Sequence, residues 1–298
     1  MNLTKLVFVH ALSPLHAGTG QGAGVIDLPI AREKATNLPY LPGSSLKGPL
    51  RDRAMNANEC GVPLNKTPEE IFGRSETNNL TMGVVQFSDL HLLCLPVRSL
   101  FGTFAWVSST YILNRFARSL ADTHQAQLRE LAPIQLDEAT QCLVTQNSSL
   151  TANTKVYLED LDFVAKNQEG IHQWGTFIAQ NIFDSTTEAE KYWHDHFIQR
   201  LCIVHDNVLS FLLNTATEIT ARISLDDDKK TVKKGALWYE EALPAESILT
   251  GLMLIAPPKA NQTYLDAMAN DLTNLCEKPI QLGGKATVGR GICRVIVK

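Results

Sequence analysis

The chain has 298 residues, enough to bury roughly three quarters of its extended surface and to hold a core without disulfides or metal. With 27 Lys plus Arg against 31 Asp plus Glu, the net charge of −4 excludes a generally basic coat but not a local basic groove. Six cysteines, at 60, 94, 142, 202, 276 and 293, contain no C-x-x-C pair and read as cytosolic free thiols, not a disulfide frame or thiolate zinc site. The opening apolar run is too short for a signal peptide and no later one reaches about 18 residues, so a cytoplasmic protein with no membrane contact is expected.

Leu3 to Leu12 reads as a well-covered strand rich in Leu, Val and Phe. Ser13 to Gly24 holds Gly18, Gly20, Gly22 and Gly24 and reads as a long turned loop, after which Asp27 stands alone before a basic stretch. In PGSSLKGPLRDRAM a helix begins, with Ser44 or Ser45 as its cap and Leu46, Leu50 and Ala54 along one face. Asn58 to Asn79 is polar and loop-like apart from IFG, and Gly83 to Leu95 reads as one strand. From about Ser109 a helix is predicted, with Ile112, Leu113, Phe116 and Leu120 at helical spacing. Ala139 to Phe163 carries short strands or irregular segments, and WHDHFIQRLCIVHDNVLSFLLNTA a helix, a strand and a helix.

TEITARISLDDDKKTVKKGALWYEE is different in kind, alternating polar and apolar residues about a charged centre, the pattern of a protruding β-hairpin. SILTGLMLIAPP is a strand, YLDAMANDLTNLCE a helix, and IQLGGKATVGRGICRVIVK a glycine-rich turn feeding a last strand. Strands and helices alternate with no long linker, so the class is α+β, built on a split β-α-β core with large insertions.

Neither glycine-rich stretch fits a dinucleotide fingerprint or a phosphate loop, so no nucleotide cofactor is expected. Each lies beside a basic segment: Arg32, Lys34, Lys47, Arg51 and Arg53 in the first, Lys278, Lys285, Arg290, Arg294 and Lys298 in the second. Such a segment is either a solvated face or part of a groove for a nucleic-acid backbone; Lys47 and Arg51, four apart, share a helix face. His194, His196 and His205 match no zinc template and read as core or surface histidines. Glu159-Asp160 and Asp226 to Asp228 are adjacent acids that splay apart, unlike a catalytic pair. His16 and Asp27 flank the glycine loop, either as an acid–base pair or with Asp27 merely capping a nearby N–H. Ile219, Ile223, Leu225 and Val232 are apolar residues on a protruding element, which suits wedging into another chain or a nucleic acid.

Taken in order, HALSPLHAGTG, GVIDLPIAREKATNLPYLPGSSLKGPLRD, IFG, VRSLFGTFAWVSSTYILNRF, LEDLDF, GALWYEE and LGGKATVGRG resemble one family over nearly the whole chain. That family is the backbone subunit of the type III-B CRISPR effector, the Cmr complex, within the repeat-associated mysterious protein (RAMP) superfamily. The resemblance implies a modified ferredoxin-like (RRM-type) palm with a protruding thumb β-hairpin and helical insertions. It implies a single domain over 1–298, with an insertion at about 55–80 and the thumb at about 217–237. The implied partners are CRISPR guide RNA, single-stranded target RNA, copies of itself and other Cmr-complex subunits, and the implied activity is endoribonuclease cleavage of target RNA at regular intervals.

By the same resemblance the cut falls to Asp27, and a divalent metal, Mg2+ before Mn2+, is linked indirectly to Asp27; His16 is a candidate helper from its place beside the glycine loop alone. Carboxylates are poor bases at neutral pH, which favours that ion-linked role. RNA contacts fall to Ser44, Ser45, Lys47, Arg51, Gly284, Lys285 and Arg290, and the thumb to Ile219, Arg222, Ile223 and Leu225. Two alternatives stand beside this reading: a non-catalytic structural RNA-binding subunit, and the type III-A backbone subunit, which shares the PGSSLKG region.

Overall fold

Leu6 to Ala11 are all buried, as in a strand covered on both faces, and they belong to β1 (Leu3–Ala11), an interior strand of a large mixed sheet. The structure, a computed structural model, describes residues 2–20, 26–74, 80–121, 123, 131–183, 186–225, 231–259 and 261–298. After β1 come β2 (Tyr40–Leu41) and helix α1 (Gly43–Met55). The short helices α2 (Ala57–Cys60) and α3 (Pro68–Phe72) and the ribbon β3 (Gly73–Arg74) with β4 (Thr81–Met82) follow. Next come β5 (Val85–Phe87), β6 (Leu90–Arg98), β7 (Phe104–Ser109) and α4 (Thr110–Ala121). The middle of the chain forms β8 (Gln141–Val144), β9 (Thr151–Ala152), β10 (Lys155–Leu158), β11 (Leu161–Asn167) and the helices α5 (Glu169–Ile182) and α6 (Glu188–Arg200). Strand β12 (Leu201–Val204) and α7 (Asp206–Thr215) lead to a two-stranded hairpin, β13 (Glu218–Leu225) and β14 (Val232–Ala242). The chain closes with β15 (Ile248–Ile255), α8 (Gln262–Cys276), β16 (Ile280–Gln281) and β17 (Ile292–Val297).

The strand order β17-β1-β15-β6, with every neighbour antiparallel, and the helices α1 after β1 and α8 after β15 give the ferredoxin-like palm. Val7 lies opposite both Gly251 and Val297, which fixes the register at the palm's centre. Beyond β6 the sheet continues through β7, β12, β8, β11, β10 and β9, with β7–β12 and β8–β11 parallel. Helix α4 buries Ile112, Leu113, Phe116 and Leu120, the stripe its spacing predicts.

Several local expectations give way to longer-range contacts. The segment 83–95 is two strands, because regular pairing with β15 is interrupted at Ser88 and Asp89: Ser88 stays on Leu252 of β15, its N donating to the carbonyl (2.9 Å) and its Oγ accepting from the amide (2.8 Å), while Asp89 Oδ1 accepts from Gly43 N (2.9 Å). Asp89 therefore does the capping expected of Ser44 or Ser45; Pro42 occupies the N-cap position and no side-chain cap bond is made there. A Cβ on Gly43 would sit 2.5 Å from the Phe87 carbonyl, so the helix starts directly against that turn. The polar stretch read as loop holds α3, started by a capping box between Thr67 and Glu70. Asp271, buried on α8, accepts from Asn65 N, Asn65 Nδ2 and Lys66 N and pins this insertion to the palm.

The histidines set aside as ligands have ordinary employment. His205 caps α7 by accepting from Asn207 N, His194 lies beside Asp195, and His196 stacks on Tyr192. All six cysteines are free. Among the described residues no helix is long and apolar enough to cross a membrane.

Candidate nucleic-acid interface

The period of two along a strand sends neighbouring side chains of β14 to opposite faces. Ile219 lies opposite Glu241, Ala221 opposite Tyr239 and Ile223 opposite Leu237. One face of the hairpin therefore presents Ile219, Ile223, Leu237 and Tyr239, all exposed. Arg222 opposes Trp238, and these share the other face with Glu240 and Thr220. The pairing is irregular between Ile223 and Leu225; the Leu225 and Val232 side chains and the tip, 226–230, lie outside the described residues.

Asp27 is exposed at the foot of this hairpin. Its Oδ2 accepts the Tyr239 N–H at 2.8 Å, Leu28 N donates to Tyr239 O (3.1 Å) and Glu241 N donates to Leu28 O (3.0 Å). The residues after the glycine loop thus add a short parallel edge to β14. Both readings of Asp27 have a basis here: the carboxylate fixes the loop through one oxygen and is solvent-accessible. Among the described residues no group of three His, Cys, Asp or Glu side chains could hold a metal.

His16 is buried and uses the same strand differently, donating from Nδ1 to the Glu241 carbonyl at 2.6 Å. A carbonyl only accepts, so the proton of a neutral His16 ring sits on Nδ1. Its Nε2 faces Gly18, where a Cβ would approach to 2.5 Å, and its carbonyl accepts from Gly284 N at 2.9 Å. His16 therefore packs between the two glycine-rich loops. Beside it a groove of about 380 Å3 runs between the Asp27 loop and the thumb, lined by Ile26, Pro29, Thr217, Ile219 and Glu241.

Glu240, on the opposite face of β14, meets the closing loop: Lys285 Nζ is 2.9 Å away, Arg222 Nε 3.4 Å, and Trp238 Nε1 donates at 2.8 Å. Burial pushes the Glu240 carboxyl upward, but the bonds from Trp238 and Lys285 and the charges of Lys285 and Arg222 outweigh it and hold the group below its ordinary value. Arg290, only 7% exposed, reaches Glu218 (3.3 Å) and Thr220 Oγ1 (3.0 Å), and Arg294 reaches Glu190 (3.3 Å). Gly284, Lys285 and Arg290, expected as RNA contacts, are thus placed beneath the thumb and engaged by the protein itself.

In the first basic segment Ser44 is exposed, and Ser45, Lys47 and Arg51 are half-buried on α1, with Lys47 Nζ donating to the Val85 carbonyl at 3.3 Å. Arg53 instead closes the end of α8, donating to the carbonyls of Leu275, Lys278 and Pro279. Glu33 accepts from Arg115 Nη1 (2.6 Å) and Thr36 Oγ1 (2.5 Å), and His91 Nδ1 lies 2.5 Å from the oxygen that Arg115 uses. Burial raises the Glu33 carboxyl, yet bonds from Thr36 and Arg115 and the charges of Arg115 and His91 hold it below its ordinary value. His91 is itself held low, by burial first and Arg115 second, so the lasting cation beside Glu33 is Arg115.

The two glutamates of GALWYEE, both 3% exposed, are site residues that the sequence pattern alone does not single out. Two adjacent acids on an alternating strand must face opposite sides, and once the fold buries both, each needs a cation: Lys285 and Arg222 for Glu240, Arg32 for Glu241.

The RAMP superfamily profile matches residues 8–294. The chain is 33% identical over 301 residues to the CRISPR system Cmr endoribonuclease Cmr4 of Pyrococcus furiosus, covering 98% of this chain and 95% of that protein. It is 26% identical over 306 residues to the CRISPR system CMR subunit Cmr4 of Saccharolobus solfataricus, covering 97% and 94%. The crystal structure of oligomeric Cmr4 from Pyrococcus furiosus superposes with a TM-score of 0.75 at 25% identity, over 99% of this chain and 97% of that one.

Proposed function

The chain belongs to the RAMP superfamily and is closely related to Cmr4, the backbone subunit of type III-B Cmr effectors; from that premise we propose a guide-RNA-binding filament subunit that cuts guide-paired target RNA beside each thumb. It assembles with copies of itself, as the oligomeric relative does, and into a multisubunit Cmr-type complex. The observation that carries the reading is the bond from Tyr239 N to Asp27, which puts the one acid of the glycine-loop segment on the strand that also bears the exposed apolar thumb face.

The chemistry follows from RNA itself. The 2′-OH becomes a nucleophile when it lies in line with the adjacent phosphorus, and A-form stacking denies that alignment. Ile219, Ile223, Leu237 and Tyr239 present an exposed apolar face suited to unstacking a nucleotide. Asp27 then stands at the displaced linkage, oriented by the Tyr239 amide. A hydrated Mg2+ (or Mn2+), when bound through Asp27, would offset phosphate charge. A single carboxylate suits such binding, since Mg2+ keeps several waters and takes one or two carboxylates together with phosphate oxygens. His16, buried under the loop, serves as its foundation. The guide is gripped elsewhere, by Ser44, Ser45, Lys47 and Arg51, which keeps it off the cutting site.

The rival reading, a purely structural subunit, draws on the same Tyr239 bond, because loop fixing would suffice to explain it. Asp27→Asn separates the two. Asparagine keeps an acceptor for the Tyr239 N–H and loses the charge. Target cleavage by the assembled complex is expected to fall by about 10²–10⁴-fold, with guide and target binding unchanged; cutting at the parent rate would leave only the structural role.

A further inference from the structure

We infer that Glu241 is a positioning residue that fixes the phosphate at which Asp27 acts, by clamping both flanks of the glycine loop to the thumb strand. The inference rests on the cleavage role proposed for Asp27. Four bonds converge on this one residue. On the N-terminal flank its carbonyl accepts from His16 Nδ1 (2.6 Å); on the C-terminal flank its N–H donates to Leu28 O (3.0 Å). Its carboxylate takes Ile30 N (3.1 Å) through Oε2 and Arg32 Nη2 (2.6 Å) through Oε1.

The side-chain pair is buried, Glu241 at 3% and Arg32 at 17% side-chain exposure, so it is screened less than a surface pair. Arg32 also donates to the carbonyls of Asn37 and Leu213, which ties it to the loop before β2 and to α7. Asp27 thus moves with β14, and β14 with the face that displaces the nucleotide. Displacement of reacting groups by about 1 Å can cost 10²-fold in rate, so a clamp of this kind bears on where a cut falls as well as on how fast.

The test maps cut positions on a guide-paired target RNA with the assembled complex carrying Glu241→Gln or Arg32→Ala. Glutamine retains an acceptor for Ile30 N and loses the ion pair. The expected result is a loss of about 10- to 100-fold at the parent positions together with new cuts at neighbouring phosphates, while guide protection stays intact. Arg32→Lys, which keeps a cation for Glu241, is expected to restore a focused pattern. Slower cutting confined to the parent positions in both variants, or parent rate and positions, would overturn the inference. Should Glu241→Gln fail to assemble, the same criterion applies to Arg32→Ala. Persistent cleavage by Asp27→Asn is a separate failure, striking the role of Asp27 itself.

Discussion

The two basic segments, 32–53 and 278–298, look alike in the sequence and differ in what the fold leaves them to do. In the closing segment Lys285, Arg290 and Arg294 are each paired with a glutamate. In the first, Arg32 and Arg53 are spent on the thumb base and the end of α8, while Lys47 makes a single bond to a carbonyl from a half-buried position beside the exposed Ser44. Charge counted along a chain therefore says how many cations exist, whereas burial and pairing say which of them can meet a phosphate. Lys285 and Arg290 brace the base of the hairpin, and the proposed function assigns the grip to helix α1.

The sharpest challenge to that contrast is charge removal on α1. Lys47→Ala with Arg51→Ala is expected to weaken guide binding by about 10- to 100-fold, about 1.4–2.7 kcal/mol. The loss should be similar for unrelated guide sequences, with a salt dependence shallower by about 1.4 for two backbone contacts, measured by titration at several ionic strengths. Strong selectivity by guide sequence would mean base reading instead. Next comes Arg290→Ala, which removes a buried guanidinium from the partly exposed Thr220 and Glu218; a stability loss of about 1–3 kcal/mol in denaturant unfolding is expected, with guide affinity changed little once the complex is formed. Lys285→Ala removes a half-exposed member of the brace and should cost under about 1 kcal/mol, less at high salt. A large guide-binding defect in either closing-loop variant would erase the distinction between grip and brace.

The smallest effect expected is a pH dependence at the Glu33 cluster, which holds the far side of the first segment. His91, depressed from 6.5, resists a proton that the unfolded chain accepts, so its neutral burial weakens the fold as pH falls below 6.5. Glu33, depressed from 4.5, contributes stability above that pH and loses it as pH falls through its lower folded value. Thermal melts between pH 7 and 4 should therefore flatten in their upper half for His91→Gln and in their lower half for Glu33→Gln.

Periodic elements were legible. The buried stripe of α4 and the alternation of the thumb hairpin follow from single-residue patterns, because each reflects the side-chain period of one element. Helix α5 was not, since Gly170 and Gly175 dilute its apolar face and no side chain caps its start; Gly175 is tolerated where α5 packs near Ile198 of α6. The cap of α1 was unreadable for another reason, as its acceptor, Asp89, lies 46 residues away. Asp27 could be singled out as a lone acid, but its partner Tyr239 is 212 residues distant, and only the folded sheet edge shows that loop and thumb are one unit.

The hydrogen bond from Tyr239 to Asp27 also makes one backbone amide a reporter. While Asp27 accepts from it, the Tyr239 amide is held at the edge of an exposed hairpin, where hydrogen exchange would otherwise be fast. Any event that draws the carboxylate toward another charge releases that proton. Its exchange rate or its amide NMR resonance would follow the engagement of the loop in a non-cleaving complex, with no product needed as a signal.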